Sequence, residues 1–357
     1  MSVAFSASAV IPTPTPAPAP APAPSWSLLL RAKALRQAAS VSLGIQHYTT
    51  PIAPSPSLTE YIDSAIGSSP ATKCIRLDIY HPPNTPTEND NEIQKRPGLI
   101  VFHGGGFVIG QGTDDSRFAQ AAMDILGCTV FAVSYRLAPE HPFPIPVEDC
   151  LSSIIHIIQF ENARKYGIDN EKILLSGFSA GGNLSFSALN ILNSPNDCDQ
   201  YQYNIPNNLP KIKGIILFYP LLNYSIRRED KLKTISKPEY GLPTSLTTLF
   251  DSSYLPNAIE RGIDRKEIRI SPGLASDILI KELPPVFITL CEYDMLRQEG
   301  IDFIHRLEGL GKDVKWSEVK GEKHGWDKQP SMWIKPSIME EYTKALNAAK
   351  EWLDGEL

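Results

Sequence analysis

The sequence predicts an α/β fold: a mostly parallel central sheet with helices on both faces. Three observations carry that prediction. Apolar runs of strand length recur at residues 99–102, 173–175, 215–218 and 286–290 without polar alternation, as strands buried on both faces do. Segments with apolar residues at helical spacing lie between them, and such alternation builds a doubly wound parallel sheet. The composition, 42% hydrophobic and 21% charged, is that of a globular protein, and 357 residues suffice for one large domain with an appended lid or for two domains.

Residues 1–24 are low in complexity, with proline alternating with Thr or Ala from Pro12 to Pro24, and read as an extended, disordered tail with no core of its own. Arg31, Lys33 and Arg36 precede the first acidic residue, Glu60, which gives the start some transit-peptide character. The proline run spoils the amphipathic helix a transit peptide needs, so the reading is a cytoplasmic chain whose helix 26–39 packs on the body. Residues 74–80 alternate apolar and polar as a half-buried strand, and 81–96 read as a hairpin-like connection. Strand 99–102 follows, then helix 116–126 and strand 129–135. A long helix is expected over 146–166, with Pro146 in its first turn and Gly167 past its end. After 173–175, 215–218 and 286–290 come helix 299–310, a last strand 314–319 and a C-terminal helix 340–353.

One segment breaks the alternation. Residues 221–283 are rich in Pro, Tyr, Ser and charges, and follow a strand at the sheet end where ligands bind in such folds. The expected organisation is a tail over 1–24, a lid from 25–66 and 221–283, and a catalytic core from 67–220 and 284–357. Within the lid, Tyr224, Tyr240, Leu249, Phe250 and Tyr254 are expected to wall a compact apolar pocket.

Several function classes are excluded. A net charge of −6, with no basic cluster longer than a pair, argues against a nucleic-acid partner. The five cysteines (74, 128, 150, 198 and 291) are scattered, odd in number and lack metal-ligand spacing, so free thiols are expected and no metal. No apolar stretch approaches the length of a membrane span. No cofactor is called for, the partner is a small molecule, and a homodimer is compatible with the composition.

The chemistry centres on Gly177-Phe178-Ser179-Ala180-Gly181, a G-x-S-x-G between a buried strand and a helix beginning near Leu184. A sharp strand-to-helix turn lifts one serine to the top of a sheet, with small neighbours making room. His103-Gly104-Gly105-Gly106 ends another buried strand, where glycines let backbone N–H groups approach a developing oxyanion. The donors are assigned to Gly104, Gly105 and Ala180. Of seven histidines, His324 lies just past the last strand, where a loop returns to the top of the sheet. His156 and His305 fall within helices, His141 in a proline-rich loop, and His47 and His81 away from the site edge. Asp294 follows strand 286–290 and is the preferred acid to orient the imidazole, with Glu292 and Asp327 as rivals.

These motifs, with Tyr135-Arg136-Leu137-Ala138-Pro139-Glu140-His141-Pro142-Phe143-Pro144 and Asp294-Met295-Leu296-Arg297-Gln298-Glu299-Gly300, carry a family likeness. The chain resembles the hormone-sensitive-lipase-like branch of the α/β-hydrolases, which includes arylacetamide deacetylase and bacterial esterases. The likeness covers 72–350, and the order Ser179, Asp294, His324 is that of α/β-hydrolase triads. The resemblance implies the α/β-hydrolase fold, a lid from the N-terminus and the insertion, no metal, and carboxylic-ester substrates. It also implies that Glu140 and Asp149 brace the site loops. Two positions depart from it, Phe178 where relatives carry Asp or Thr, and Trp326 where they carry Phe. Two alternatives to a serine carboxylesterase stay open at this level: a small-molecule receptor on the same scaffold, and a lyase or cyclase acting on a natural product.

Overall fold

Eight strands join in one sheet: β1 (Leu58–Ser64), β2 (Ala71–Tyr80), β3 (Arg96–Phe102), β4 (Thr129–Ser134), β5 (Ile168–Phe178), β6 (Gly214–Phe218), β7 (Val286–Cys291) and β8 (Val314–Val319). In this computed structural model, which describes residues 19–47, 53–83, 95–193, 203–328 and 334–355, their order is β1-β2-β4-β3-β5-β6-β7-β8. The β1–β2 and β2–β4 pairings are antiparallel and the rest parallel.

The uninterrupted apolar runs explain the two-sided burial. On β3, Leu99 and Val101 belong to one core layer and Ile100 and Phe102 to the other, as the two-residue period of a strand requires. One layer lies under helices α2 (Ser116–Leu126) and α10 (Pro336–Asp354). The other lies under α3 (Ile145–Ile158), α5 (Ala180–Asn193) and α9 (Arg297–Gly309). Beneath α2 and α10, Phe178 stacks on Phe218 at 4.6 Å, and Phe118 and Tyr342 meet Phe218 edge-on at 5.2 and 5.4 Å. Offset and edge-to-face rings stabilise such a layer beyond their burial alone.

Several expectations need correction. The 81–96 connection is not a hairpin: β2 pairs with β1 and β4, while β3 runs parallel between β4 and β5. An all-apolar strand needs neighbours on both edges and cover on both faces, so it goes to the sheet centre. Residues 84–94 of that connection lie outside the described residues, as do residues 1–18 of the expected tail and Cys198. The other four cysteines are free. The helix expected over 146–166 breaks at Gln159, whose extended backbone separates α3 from α4 (Phe160–Lys165). There the Asn162 side chain donates to the carbonyl of His156 at 2.8 Å, giving the helix end a substitute partner. The N-terminal helix α1 runs further than expected, over Trp26–His47. Residues 25–66 are not all lid material, because β1 is the edge strand of the sheet.

The 221–283 insertion is built from short pieces, α6 (Arg228–Leu232), α7 (Thr244–Tyr254) and α8 (Asp277–Lys281), joined by turns. No helix among the described residues is long and apolar enough to cross a membrane.

Phe218 is fully buried at the centre of the ring cluster. Phe218→Ala should cost about 3–5 kcal/mol and lower the urea midpoint of unfolding. A midpoint unchanged from the parent protein would contradict this packing.

Candidate active site

At the end of β5 the chain turns directly into α5, and Ser179 sits in the turn with a left-handed backbone (φ 52°). Two hydrogen bonds hold it there: its N–H donates to the carbonyl of Phe218 at 2.9 Å, and its carbonyl accepts from the N–H of Asn183 at 3.1 Å. The turn is tight because α5 starts against β3. A side chain at Gly181 would place its Cβ 2.0 Å from the carbonyl oxygen of Phe102.

Three sequence-predicted residues come together over this turn. Ser179 Oγ lies 2.7 Å from His324 Nε2, and His324 Nδ1 lies 2.6 Å from Asp294 Oδ2. Asp294 is buried, and its other oxygen accepts the N–H of Leu296 at 2.9 Å. That second bond leaves Oδ2 aimed at the imidazole and fixes the His324 tautomer with its proton on Nδ1. The ring of Tyr219 meets His324 at 4.8 Å. The rival carboxylates are engaged elsewhere. Glu292 accepts the N–H of Gly321 at 2.7 Å. Asp327 accepts hydroxyl protons from Tyr219 at 2.5 Å and Tyr342 at 2.6 Å, below the serine.

The glycine loop lies against the same serine, with Gly104 packed on the Ser179 side chain. Gly105 has φ +117°, and a Cβ there would sit 2.1 Å from the carbonyl oxygen of Ile109. Two side chains orient this loop by holding its carbonyls. Tyr135 Oη donates to the carbonyl of His103 at 2.9 Å. His103 Nδ1 in turn donates to the carbonyl of Gly104 at 2.7 Å. In a trans peptide, C=O and N–H point in opposite directions, so each anchored carbonyl turns the next residue's N–H the other way. The Gly104 and Gly105 N–H groups are thereby fixed, and with that of Ala180 they donate to no acceptor among the described residues. Burial pushes the pKa of His103 down to about 4, which keeps it a neutral donor. It stacks on Tyr135 with ring centres 4.2 Å apart. Sequence reasoning quoted His103 and Tyr135 as motif residues without finding this role.

Arg36 of α1 ties the N-terminal helix to the glycine loop. It donates to the carbonyls of Val108 at 2.8 Å and Ala138 at 2.7 Å, and forks onto Glu140 at 2.7 and 2.9 Å. Asp149 holds Arg136 at 2.6 Å and so braces the neighbouring loop. Above Ser179 and His324 opens a cavity of about 560 Å³, walled by Leu43, Leu221, Tyr224, Leu246, Phe250 and Met295. Of the five expected wall residues, Tyr224 and Phe250 line it, whereas Tyr254 stacks on Phe107 behind the wall at 3.7 Å. Leu249 is buried away from the cavity, and Tyr240 is exposed, packed on Tyr293.

The two departures from the family pattern lie beside and below this floor. The Phe178 ring is buried in the aromatic layer, with Lys328 Nζ 4.1 Å from its centre. Trp326 is buried edge-on to Tyr219 at 5.5 Å. Lys328 pairs with Asp115 at 2.6 Å and Asp327 at 3.0 Å, and these carboxylates hold its pKa well above the ordinary lysine value despite burial. Next to them, burial and the neighbouring Asp115 raise the pKa of Asp114 to about 7.

Comparison with known proteins identifies the fold. Residues 99–328 match a family model described as the alpha/beta hydrolase fold. The chain is similar to arylacetamide deacetylase of Oryctolagus cuniculus, 27% identical over 281 residues that span 64% of this chain and 68% of that protein. It is similar to an arylesterase of Saccharolobus solfataricus, 29% identical over 257 residues that span 71% and 75% of the two chains. Among solved structures, a fungal esterase of Rhizomucor miehei superposes with a TM-score of 0.70 at 27% identity, covering 90% of each chain.

The carbonyl anchors make a testable claim. Tyr135→Phe should slow labelling of Ser179 by a fluorophosphonate about 10-fold, less than the 10²–10³ lost when an oxyanion donor is itself removed. Labelling at the parent rate would show that the Tyr135 hydroxyl does not orient the loop.

Proposed function

The chain belongs to the α/β-hydrolase-fold family, and on that premise we propose that it hydrolyses carboxylic esters through an acyl-enzyme on Ser179. The observation that carries the reading is the continuous line Ser179 Oγ, His324 Nε2, His324 Nδ1, Asp294 Oδ2, with steps of 2.7 and 2.6 Å. Beside it stand three backbone N–H groups with no acceptor among the described residues. His324 Nε2 takes the Ser179 proton as Oγ attacks the ester carbonyl. The resulting oxyanion accepts hydrogen bonds from Gly104, Gly105 and Ala180. His324 then gives that proton to the departing alcohol, and the C–O bond breaks to leave the acyl-enzyme. Water, deprotonated by the same nitrogen, attacks the acyl carbon, releases the carboxylic acid and restores Ser179. Asp294 stabilises the imidazolium formed at each attack. The hydrogen-bonded His324 favours this reading over a receptor on the same scaffold. The relatives named arylacetamide deacetylase and arylesterase support ester cleavage as the reaction class.

The lid is formed by α1 and residues 221–283, and the substrate is a small ester: a short- or medium-chain ester, or the acetyl ester of a natural product. A cavity of about 560 Å³ lies in the range that encloses small molecules. Asp294→Asn should leave the protein folded and cut kcat by about 10⁴ on a p-nitrophenyl ester, as when a triad acid loses its charge. If Asp327→Asn does the greater damage, the acid has been misassigned. Across p-nitrophenyl esters from acetate to palmitate, kcat/KM should rise and then fall beyond about eight carbons, since each methylene adds up to ~0.8 kcal/mol only while it is buried. A maximum at the long-chain end, or a jump in rate above the micelle concentration, would indicate a lipase instead.

A further inference from the structure

Most charged side chains around the cavity already have partners. Lys231 pairs with Glu299 at 2.5 Å, and Glu299 also accepts the N–H of Leu222 at 2.8 Å. Arg265 pairs with Asp251 at 2.8 Å, and Lys328 with Asp115 at 2.6 Å. Arg227 reaches Asp230 at 3.1 Å from an exposed position. Arg228, on the lid's side of the cavity, differs from all of these. Its Nη2 donates to the carbonyl of Leu242 at 2.5 Å, while its Nε is buried and has no hydrogen-bond partner among the described residues. It forms no ion pair with any described carboxylate, including the exposed Glu229 beside it.

Arg228 is half-buried, and its guanidinium places a positive charge on the cavity wall that no described carboxylate balances. Its planar fork matches a carboxylate, with two parallel charge-assisted bonds. A neutral ester offers it one carbonyl oxygen; an anionic carboxylate offers two oxygens and the opposite charge. We propose that Arg228 receives a carboxylate, so that the favoured substrates are esters that also carry a free carboxylate. The inference rests on the esterase reading and names the substrate class of the same site.

The test uses matched pairs that differ in one charge. On the acyl side the pair is p-nitrophenyl hemisuccinate and p-nitrophenyl valerate; on the alcohol side it is 4-acetoxybenzoate and phenyl acetate. The anionic member of at least one pair should have the higher kcat/KM. Arg228→Met, which keeps the apolar stem, should lower that anionic-to-neutral ratio by about 10–100-fold, the scale of a lost hydrogen bond to a charged group. Arg228→Lys, which keeps the charge but not the fork, should retain part of the preference. A wild-type protein that favours the neutral member of both pairs, or a ratio unchanged in Arg228→Met, would overturn the assignment. Calorimetric binding of the same pairs to Ser179→Ala reads the preference without turnover. Anionic preference in binding with no hydrolysis of any ester would count against the esterase reading and for Arg228. Hydrolysis of neutral esters with no anionic preference in rate or binding would do the reverse.

Discussion

The site depends on one backbone constraint, the left-handed conformation of Ser179 between β5 and α5. A non-glycine residue in this region costs about 1–3 kcal/mol, and it persists only where its surroundings over-determine it. Here they do. The Ser179 N–H is taken by Phe218 on β6, its carbonyl by Asn183 in α5, and Gly181 lets the helix start against the end of β3. Burial of Phe178 in the aromatic layer anchors the residue before the turn. The serine side chain is therefore presented by the core of the protein, and the loops carrying Asp294 and His324 need only reach it.

A second constraint is peptide planarity in the glycine loop. Side chains orient donors indirectly there, by binding the carbonyl on the far side of each peptide. Tyr135 and His103 form a relay from β4 to the loop, and Arg36 extends it to α1 through the Val108 carbonyl. Seating of the N-terminal helix is thus linked to the geometry of the Gly104 and Gly105 N–H groups by ordinary hydrogen bonds. The same helix contributes Leu43 to the cavity wall, so the wall and the glycine loop share one element.

Much of this was legible in the sequence, and the failures have physical causes. Continuous apolar runs marked the central strands, because a strand buried on both faces has no polar residues to confuse its period. β1 escaped notice because an exposed edge strand reading Leu-Thr-Glu-Tyr-Ile-Asp-Ser carries too little apolar pattern. The break at Gln159 was hidden by apolar spacing that runs on into Ala163. The three residues of the Ser179, His324 and Asp294 line were legible because their motifs end core strands. The sequence preferred Asp294 for its place just past β7, and the hydrogen bonds separate it from Glu292 and Asp327, which are engaged elsewhere. The roles of His103 and Tyr135 depend on sheet register, which pairs Phe102 with Val133 and so brings the two rings side by side. Arg228 sits in the aperiodic 221–283 segment, where spacing carries no information about which charges find partners.

On the proposed mechanism, the Ser179 turn, the His324–Asp294 pair and the glycine loop form one unit around a tetrahedral oxyanion. A crystal structure of the protein after reaction with a p-nitrophenyl phosphonate tests it most directly. The expected product has a covalent bond from Ser179 Oγ to phosphorus, with one phosphonyl oxygen about 2.7–3.1 Å from the backbone nitrogens of Gly104, Gly105 and Ala180. Phosphorus bound to another residue, or a phosphonyl oxygen turned away from those three nitrogens, would contradict it.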